Sequence, residues 1–105
     1  MAATSHPRAV DAALRCLEAG GNAADAAVCA AVVLCVVEPM STGIGGDAFA
    51  LVWQHDELTG LNASGRAPAS ADPDALGAEM PFTGPQSVTV PGAVAGWQAL
   101  LERHG

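Results

Sequence analysis

One stretch of the sequence encodes two helices and the break between them: Leu17-Glu18-Ala19-Gly20-Gly21-Asn22-Ala23-Ala24-Asp25-Ala26-Ala27. Paired glycines end a helix because glycine readily adopts the left-handed backbone conformation found at helix C-termini. Asn22 follows them, and its side-chain oxygen can accept hydrogen bonds from the first free N–H groups of a new helix. The stretch therefore predicts one helix that ends at Gly20-Gly21 and a second that begins at Ala23.

The first helix is predicted to begin at Pro7, with Ser5 or His6 as its N-cap, because proline is favoured in a first helical turn. Apolar residues then recur at helical spacing and give this helix one apolar face. On the polar face Asp11 and Arg15 lie four residues apart, where an ion pair contributes about 0.3 kcal/mol. An amphipathic helix is expected.

The second helix is predicted from Ala23 to about Val37, and its only interior charge, Asp25, lies at the end favoured by the helix dipole. It ends at Glu38-Pro39, because proline disfavours helical geometry in the residue before it. The helix is apolar all round, so we expect it to be buried on every side.

A glycine loop, residues 41–47, leads from the second helix into the run Ala48–Gln54. Both alternating faces of this run are apolar, which predicts an inner strand covered on both sides. His55 to Gly60 predicts a polar turn, after which Leu61-Asn62-Ala63 can return as an antiparallel second strand.

The remaining sequence predicts a loop at residues 64–68, a short helix at 72–77 and irregular chain at 80–87. An extended piece at 88–90 and a last helix at 91–105 follow. The buried face of the last helix is expected to carry Val94, Trp97, Leu100 and Leu101. No repeat or linker divides the chain, so residues 1–105 are treated as one unit of mixed α/β (α+β) class.

The composition is apolar and acidic. Half of the residues are hydrophobic, and eleven Asp and Glu stand against four Arg and no Lys, for a net charge of -7. Such a chain is a poor partner for phosphate backbones or an anionic membrane surface. The longest uncharged apolar run, Ala26 to Val37, has twelve residues, whereas a membrane span needs about 18. Neither a nucleic-acid partner nor a membrane partner is expected.

Three cysteines, Cys16, Cys29 and Cys35, show none of the spacings of metal sites, and their odd number argues against a closed set of disulfides. We interpret them as buried thiols in a reducing compartment. Residues 1–7 lack the basic and apolar regions of a secretory signal. A cytoplasmic location is expected on these grounds.

The loop Gly43-Ile44-Gly45-Gly46 allows three interpretations. The bare N–H groups of a glycine loop can bind a phosphate, but such loops lead from a strand into a helix, whereas this one leads from a helix into a strand. A tight turn, in which one backbone passes close to another, is simpler. A glycine floor beneath a substrate pocket is the third.

Few side chains are placed for chemistry. His6, His55 and His104 lie far apart and lack partners at metal spacing, so surface or capping roles are expected, with no metal and no cofactor. Asp56-Glu57 falls in the predicted turn, which favours a solvated tip over an acid–base pair. No Ser, Cys or Thr lies in a recognisable nucleophile setting, so no catalytic residue is predicted here.

Arg66 is the single candidate for a substrate contact. It is the only cation between Arg15 and Arg103, and it lies in the loop after the second predicted strand. A guanidinium is the group best shaped to hold a carboxylate through two hydrogen bonds. Two interpretations stay open for it, a structural salt bridge and a substrate contact.

A series of motifs follows in order along the chain: His6-Pro7, residues 17–27, Glu38-Pro39, residues 43–49, Arg66-Ala67-Pro68, Val90-Pro91-Gly92 and Gly96-Trp97. Together they closely resemble the start of the gamma-glutamyltransferases, or glutathione hydrolases. The resemblance runs from about Thr4 to Gly105 and covers only the first part of a family chain. Residues 1–105 are therefore expected to be a fragment of one domain, incomplete at its C-terminus.

The resemblance implies a fold and an activity. The fold is the αββα sandwich of N-terminal-nucleophile hydrolases, whose first helix-helix-strand-strand portion agrees with the predicted order. The activity is that of a proenzyme that cuts itself once and frees a threonine, whose hydroxyl attacks an amide carbonyl. The implied partners are a small amide or gamma-glutamyl substrate, the rest of the large subunit, and the small subunit that carries the threonine.

One departure from the family pattern concerns the substrate. Glutamyl-specific members carry an Arg-Glu-x-Ala-Pro pattern, whose arginine binds the alpha-carboxylate of the glutamyl group. Here Ser64 stands in place of that arginine, Gly65 in place of the glutamate, and Arg66 two positions later. The pattern resembles instead the Ser-Gly-Arg-Ala-Pro branch, which includes acylases and an oxamate amidohydrolase. Arg66 is expected to reach the same carboxylate from its neighbouring position.

The sequence is compatible with three classes of function. A segment of an amide-cleaving or glutamyl-transferring proenzyme is favoured, with glutathione as the default substrate and an oxamate-type or acyl amide as the alternative. A non-catalytic structural or binding module of the same ancestry is the second, and a phosphate-binding domain is the third. If the chain is a segment of such a proenzyme, residues 1–105 alone should expose parts of the apolar second helix and of the first strand.

Overall fold

The computed structural model describes all 105 residues, with elements in the order helix, helix, strand, strand, helix. The helices are α1 (Pro7–Glu18), α2 (Ala23–Val37) and α3 (Ala93–His104), and the strands are β1 (Ala48–Gln54) and β2 (Glu57–Ala63). Two short 3-10 helices, Pro73–Leu76 and Pro85–Ser87, lie in the connection between β2 and α3. No helix combines the length and apolarity needed to cross a bilayer.

Side-chain caps fix the starts of the first two helices. His6, one of the two predicted caps of α1, accepts a hydrogen bond from the Arg8 N–H at its Nδ1, 3.1 Å away. The Asn22 side-chain oxygen accepts from the Asp25 N–H at 3.2 Å, and the Asp25 carboxylate accepts from the Asn22 N–H at 2.8 Å. This reciprocal pair is a capping box, which satisfies donors that the helix itself leaves free.

Alanines form the contact between α1 and α2. The buried cluster consists of Ala9, Ala13, Ala26 and Ala30, and no large side chain is fully buried anywhere in the chain. These residues do not cover α2 on every side, and the exposure expected for its apolar surface is found at Val36, which is 78% exposed. The physical reason is that α1 and α3 cover only part of the surface of α2.

The strands form an antiparallel hairpin, and its turn is shorter than the sequence predicts. Pairing continues to Gln54 and Glu57, so β2 begins at Glu57 and not at Leu61. Only His55 and Asp56 remain in the turn, with φ of 53° and 62°. Two consecutive residues in the left-handed region give the turn geometry that matches the twist of a hairpin.

The helix α3 covers one face of this hairpin. Gly96 lies against the paired residues Ala48 and Ala63, where a Cβ built on the glycine would be 2.6 Å from the Ala63 Cβ. The other face of β1 is uncovered, with Phe49 65% and Leu51 78% exposed. Within these residues β1 is covered on one face only, because the chain supplies helices to one face, and the exposure expected for the apolar strand is found.

The last helix begins later than predicted, and its predicted buried face is confirmed at Leu100 but not at Val94 or Leu101. It begins at Ala93, two residues later than predicted, and its buried residues are Ala93, Gly96 and Leu100. Val94 is 54% exposed, although the spacing placed it on the buried face. Small residues are selected at this contact, because the helix backbone lies close to the sheet.

Candidate functional site

The loop that leaves β2 carries Arg66, and its first residues have a defined shape. The Asn62 side-chain oxygen accepts a hydrogen bond from the Ser64 N–H at 3.0 Å, which turns the chain away from the strand. Gly65 then adopts a φ of +75°, in the left-handed region that side-chain-bearing residues rarely enter. Arg66 follows directly, so its backbone direction is set by this turn.

Two glycines bring this loop against the segment that precedes α3. A Cβ on Gly65 would overlap the carbonyl oxygen of Val90, and a Cβ on Gly92 would overlap the carbonyl oxygen of Ala63. Each glycine therefore allows backbone to lie against backbone. We call the pair Gly65 and Gly92 the glycine clamp.

The glycine loop after α2 is tied to the same place. The carbonyl oxygen of Gly46 accepts hydrogen bonds from the N–H groups of Gly92, at 2.9 Å, and Ala93, at 3.1 Å. This oxygen satisfies donors at the start of α3, where no side chain provides a cap. Three segments thus meet beside Arg66: the glycine loop, the exit from β2 and the start of α3.

Arg66 has no ionic partner within the chain. The one ion pair among the 105 residues joins Arg15 to Asp11 at 3.1 Å, the pair predicted on the surface of α1. The structural salt bridge considered for Arg66 is therefore not formed by these residues. The side chain is exposed and lines two cavities, of about 450 and about 400 Å³, which share Gly65, Arg66 and Val90 as wall residues. A free guanidinium beside a concave surface can bind an anionic group.

The glycine loop offers little to a phosphate. The two N–H groups at the start of α3 that lie nearest to it are already bonded to Gly46. The loop does turn, with the Gly46 N–H bonded to the Gly43 carbonyl at 3.1 Å, but Gly43 and Gly45 face open space. Of the three interpretations, the tight turn agrees best with this geometry, because the Gly46 carbonyl also lies against the backbone at the start of α3.

The other candidates have local roles. His6 caps α1, His55 lies in the hairpin turn, and His104 contacts Gln54, with 3.1 Å between Nδ1 and Oε1. A cavity of about 230 Å³ lies between α2, the glycine loop and α3, and eleven of its fifteen wall residues are hydrophobic. Its polar wall residues are Thr42 and Asp47, and it has no cation for an anionic ligand. We interpret it as a gap between the layers of the fold and regard the Arg66 surface as the candidate site.

Sequence reasoning proposed Arg66 as a candidate but overlooked the glycine clamp. Gly65 was considered only as the neighbour of Arg66, and Gly92 only as part of the Val90-Pro91-Gly92 motif. The glycine itself was the available indication, because glycine is common where the chain needs an unusual φ or a close backbone approach. Nothing local indicated that the two glycines face each other's segments, since 26 residues separate them along the chain.

Comparison with known proteins identifies relatives along nearly the whole chain. The glutathione hydrolase proenzyme of Bacillus subtilis is 39% identical over 115 aligned residues, covering 100% of this chain and 20% of the relative. The oxamate amidohydrolase proenzyme of Klebsiella pneumoniae is 39% identical, covering 96% of this chain and 20% of the relative. The chain therefore spans about a fifth of the length of the curated relatives it matches.

Comparison with solved structures leads to the same family as comparison of sequences. The crystal structure of the Helicobacter pylori gamma-glutamyltranspeptidase superposes with a TM-score of 0.85 at 34% identity, covering 100% of this chain and 32% of that chain. The predicted fold class, the first helix-helix-strand-strand portion of an N-terminal-nucleophile hydrolase, is confirmed. The sequence model of the gamma-glutamyltranspeptidases matches residues 9–105, and the chain accordingly belongs to the gamma-glutamyltranspeptidase family.

Proposed function

We propose that this chain is part of an amide-hydrolysing or gamma-glutamyl-transferring proenzyme, in which Arg66 binds a carboxylate of the substrate. The observation that carries the proposal is the free guanidinium of Arg66 beside a concave surface in a chain of this family. Both named relatives are proenzymes that act on small molecules with a carboxylate. The attacking threonine would be supplied by polypeptide outside these residues.

The contribution of these residues is binding and orientation. A carboxylate held by two parallel hydrogen bonds from a guanidinium is fixed in direction as well as in position. Because the carboxylate keeps this partner before and during the reaction, the contact contributes to substrate binding throughout. Arg66 thus contributes to the reaction without touching the reacting atoms.

Glutathione is the default substrate, and oxamate is the second candidate. The specific observation that favours oxamate-type amides is the Ser64-Gly65-Arg66 order, in which the arginine lies two positions from the place of the family's glutamyl-binding arginine. The two relatives that carry these substrate names are equally similar to this chain. Assays of the full-length protein with both compounds separate the two.

The test of Arg66 is its replacement by alanine in the full-length protein. We expect a rise in KM of about 10- to 100-fold, because a hydrogen-bonded charged pair contributes about 1.5–3 kcal/mol and each 1.4 kcal/mol is tenfold. Self-cleavage should be unaffected. Arg8→Ala, which removes another exposed arginine from α1, is the matched control. Unchanged kinetics in Arg66→Ala would refute the assignment.

We further propose that the uncovered face of the hairpin, formed by Phe49, Leu51, Trp53 and Leu58, packs against polypeptide outside these residues. Each of these side chains is at least 59% exposed, and a contiguous apolar surface of this kind marks an interface. The isolated 105-residue chain should bind a hydrophobic dye, whereas the full-length protein should bind much less. A dye-silent monomer with a sharp, reversible unfolding transition would contradict the proposal.

We also propose a cytoplasmic location, since an odd set of three unpaired cysteines is best kept in a reducing compartment. Cell fractionation of the tagged full-length protein tests it. Recovery outside the cytoplasm would overturn it.

A further inference from the structure

We infer that the glycine clamp, Gly65 with Gly92, positions Arg66 for substrate binding, an inference that rests on the function proposed above. The two glycines would be positioning residues, because neither has a side chain that could touch a ligand. They act by holding the backbone that carries the guanidinium against the start of α3.

The geometry at Gly65 combines two constraints. Its φ of +75° is rarely adopted by residues with a side chain, and a Cβ there would overlap the Val90 carbonyl oxygen and lie 3.0 Å from the Val90 Cβ. The obstacle is largely backbone, which cannot swing aside as a flexible side chain can. A larger residue at position 65 must therefore push the loop away from Val90, and Arg66 moves with it.

Gly92 closes the same contact from the opposite side. Its missing Cβ leaves room for the Ala63 carbonyl oxygen and for the Gly65 N–H, whose nitrogen would lie 3.1 Å from that Cβ. The backbone N–H of Gly92 is bonded to Gly46 at 2.9 Å. Gly92 is thus anchored to the glycine loop. Through the contact between Gly92 and the exit from β2, the position of the Arg66 backbone depends on the glycine loop and on α3.

The expected consequence of opening the clamp is a loss of substrate affinity that does not affect the chemical step. A displacement of about 1 Å in a group that orients a substrate can lower efficiency about 100-fold. Because Arg66 contacts the substrate away from the reacting carbonyl, the loss should appear mainly in KM.

The experiment compares Gly65→Ala with Gly77→Ala in the full-length protein. Gly77 has nearly the same φ, +71°, but a Cβ there meets nothing within 4 Å. Both variants place alanine at a positive φ, and only the first opens the clamp. We expect Gly65→Ala to raise KM for glutathione or oxamate about tenfold or more, with kcat and self-cleavage retained, and Gly77→Ala to behave like the wild type. Equal effects of the two variants would overturn the inference.

A double-mutant cycle separates positioning from a general structural role. If Gly65 acts through Arg66, Gly65→Ala should have no further effect on KM once Arg66→Ala is present. The same fold-change in both backgrounds would show that Gly65 acts elsewhere. If Gly65→Ala does not mature, Pro91→Ala serves as a milder variant, since it relaxes the segment between Val90 and Gly92 without adding a clash. It should raise KM in the same direction, and an unchanged KM would count against the clamp.

Failure of the proposed function has a different signature. If the wild type acts on neither compound, the substrate assignment fails, and crystal structures of the two glycine variants still test the clamp. The Arg66 backbone should move away from Gly92 in Gly65→Ala and stay in place in Gly77→Ala. An unmoved Arg66 in both would refute the clamp whatever the activity.

Discussion

Replacing Gly96 by alanine tests the packing of α3 on the hairpin. The added methyl group would lie 2.6 Å from the Ala63 Cβ and 3.4 Å from the Ala48 Cβ. Both neighbours are alanine methyl groups, which cannot rotate out of the way. The helix must therefore move off the sheet, or the strands must move off the helix.

Two effects of opposite sign set the magnitude. Alanine is a better helix former than glycine by about 1 kcal/mol, which favours the variant. Forcing extra volume into a well-packed contact costs about 1–3 kcal/mol, and the rigid neighbours place this site toward the upper end. We expect a net loss of stability of up to about 2 kcal/mol.

The assay is urea or thermal unfolding of the full-length protein, followed by a signal that reports on the whole molecule. Ala95→Gly is the control, because Ala95 is an exposed neighbour on the same helix. It should lower stability by about 1 kcal/mol through helix propensity alone. If Gly96→Ala instead raises stability by the same amount, the helix is not packed against the sheet as described, and the reasoning is refuted.

Two further predictions concern α1 and α2. Asn22→Ala should lower the free energy of unfolding by about 1 kcal/mol, since it removes the cap of α2 and the hydrogen bond to the His104 carbonyl. Asn22→Ser should retain most of the cap. Equal urea midpoints for the two variants would argue against a capping role. The hydrogen bond with the Cys29 thiol, together with partial burial and the nearby charge of Asp25, raises the pKa of Cys16. The stability that this thiol contributes is fully present below its unfolded pKa and is lost as the pH rises through its folded pKa. Because only the thiolate is alkylated, the alkylation rate of Cys16 should rise at a higher pH in the folded protein than in urea.

Features that depend on neighbouring residues were predictable. The break at Gly20-Gly21, the cap at Asn22 and the bounds of α2 follow from interactions within a few residues, and the structure confirms them. The loop position of Arg66 was equally accessible, because it needs only the end of β2. That the guanidinium has no ionic partner could not be predicted, since it depends on where distant carboxylates lie.

Features that depend on distant contacts were not predictable. The hairpin turn lacks glycine, and His55 and Asp56, although enriched in the left-handed region, are a weaker indication of a two-residue turn, so the length of β2 was underestimated. The orientation of α3 was wrong for Val94, because apolar spacing favours large residues whereas the sheet accommodates Gly96. The glycine clamp belongs to the same group, as its residues come together only after the chain has folded.

The bond between the Gly46 carbonyl and the first N–H groups of α3 has a consequence for how this region can be probed by mutation. The acceptor is a main-chain atom, so replacing any side chain of the loop leaves it in place. An alanine scan would score the loop as dispensable for the helix. Inserting one residue, however, adds about 3.3 Å of chain and would carry the oxygen out of reach. At this point the fold constrains the number of residues more strongly than their identity.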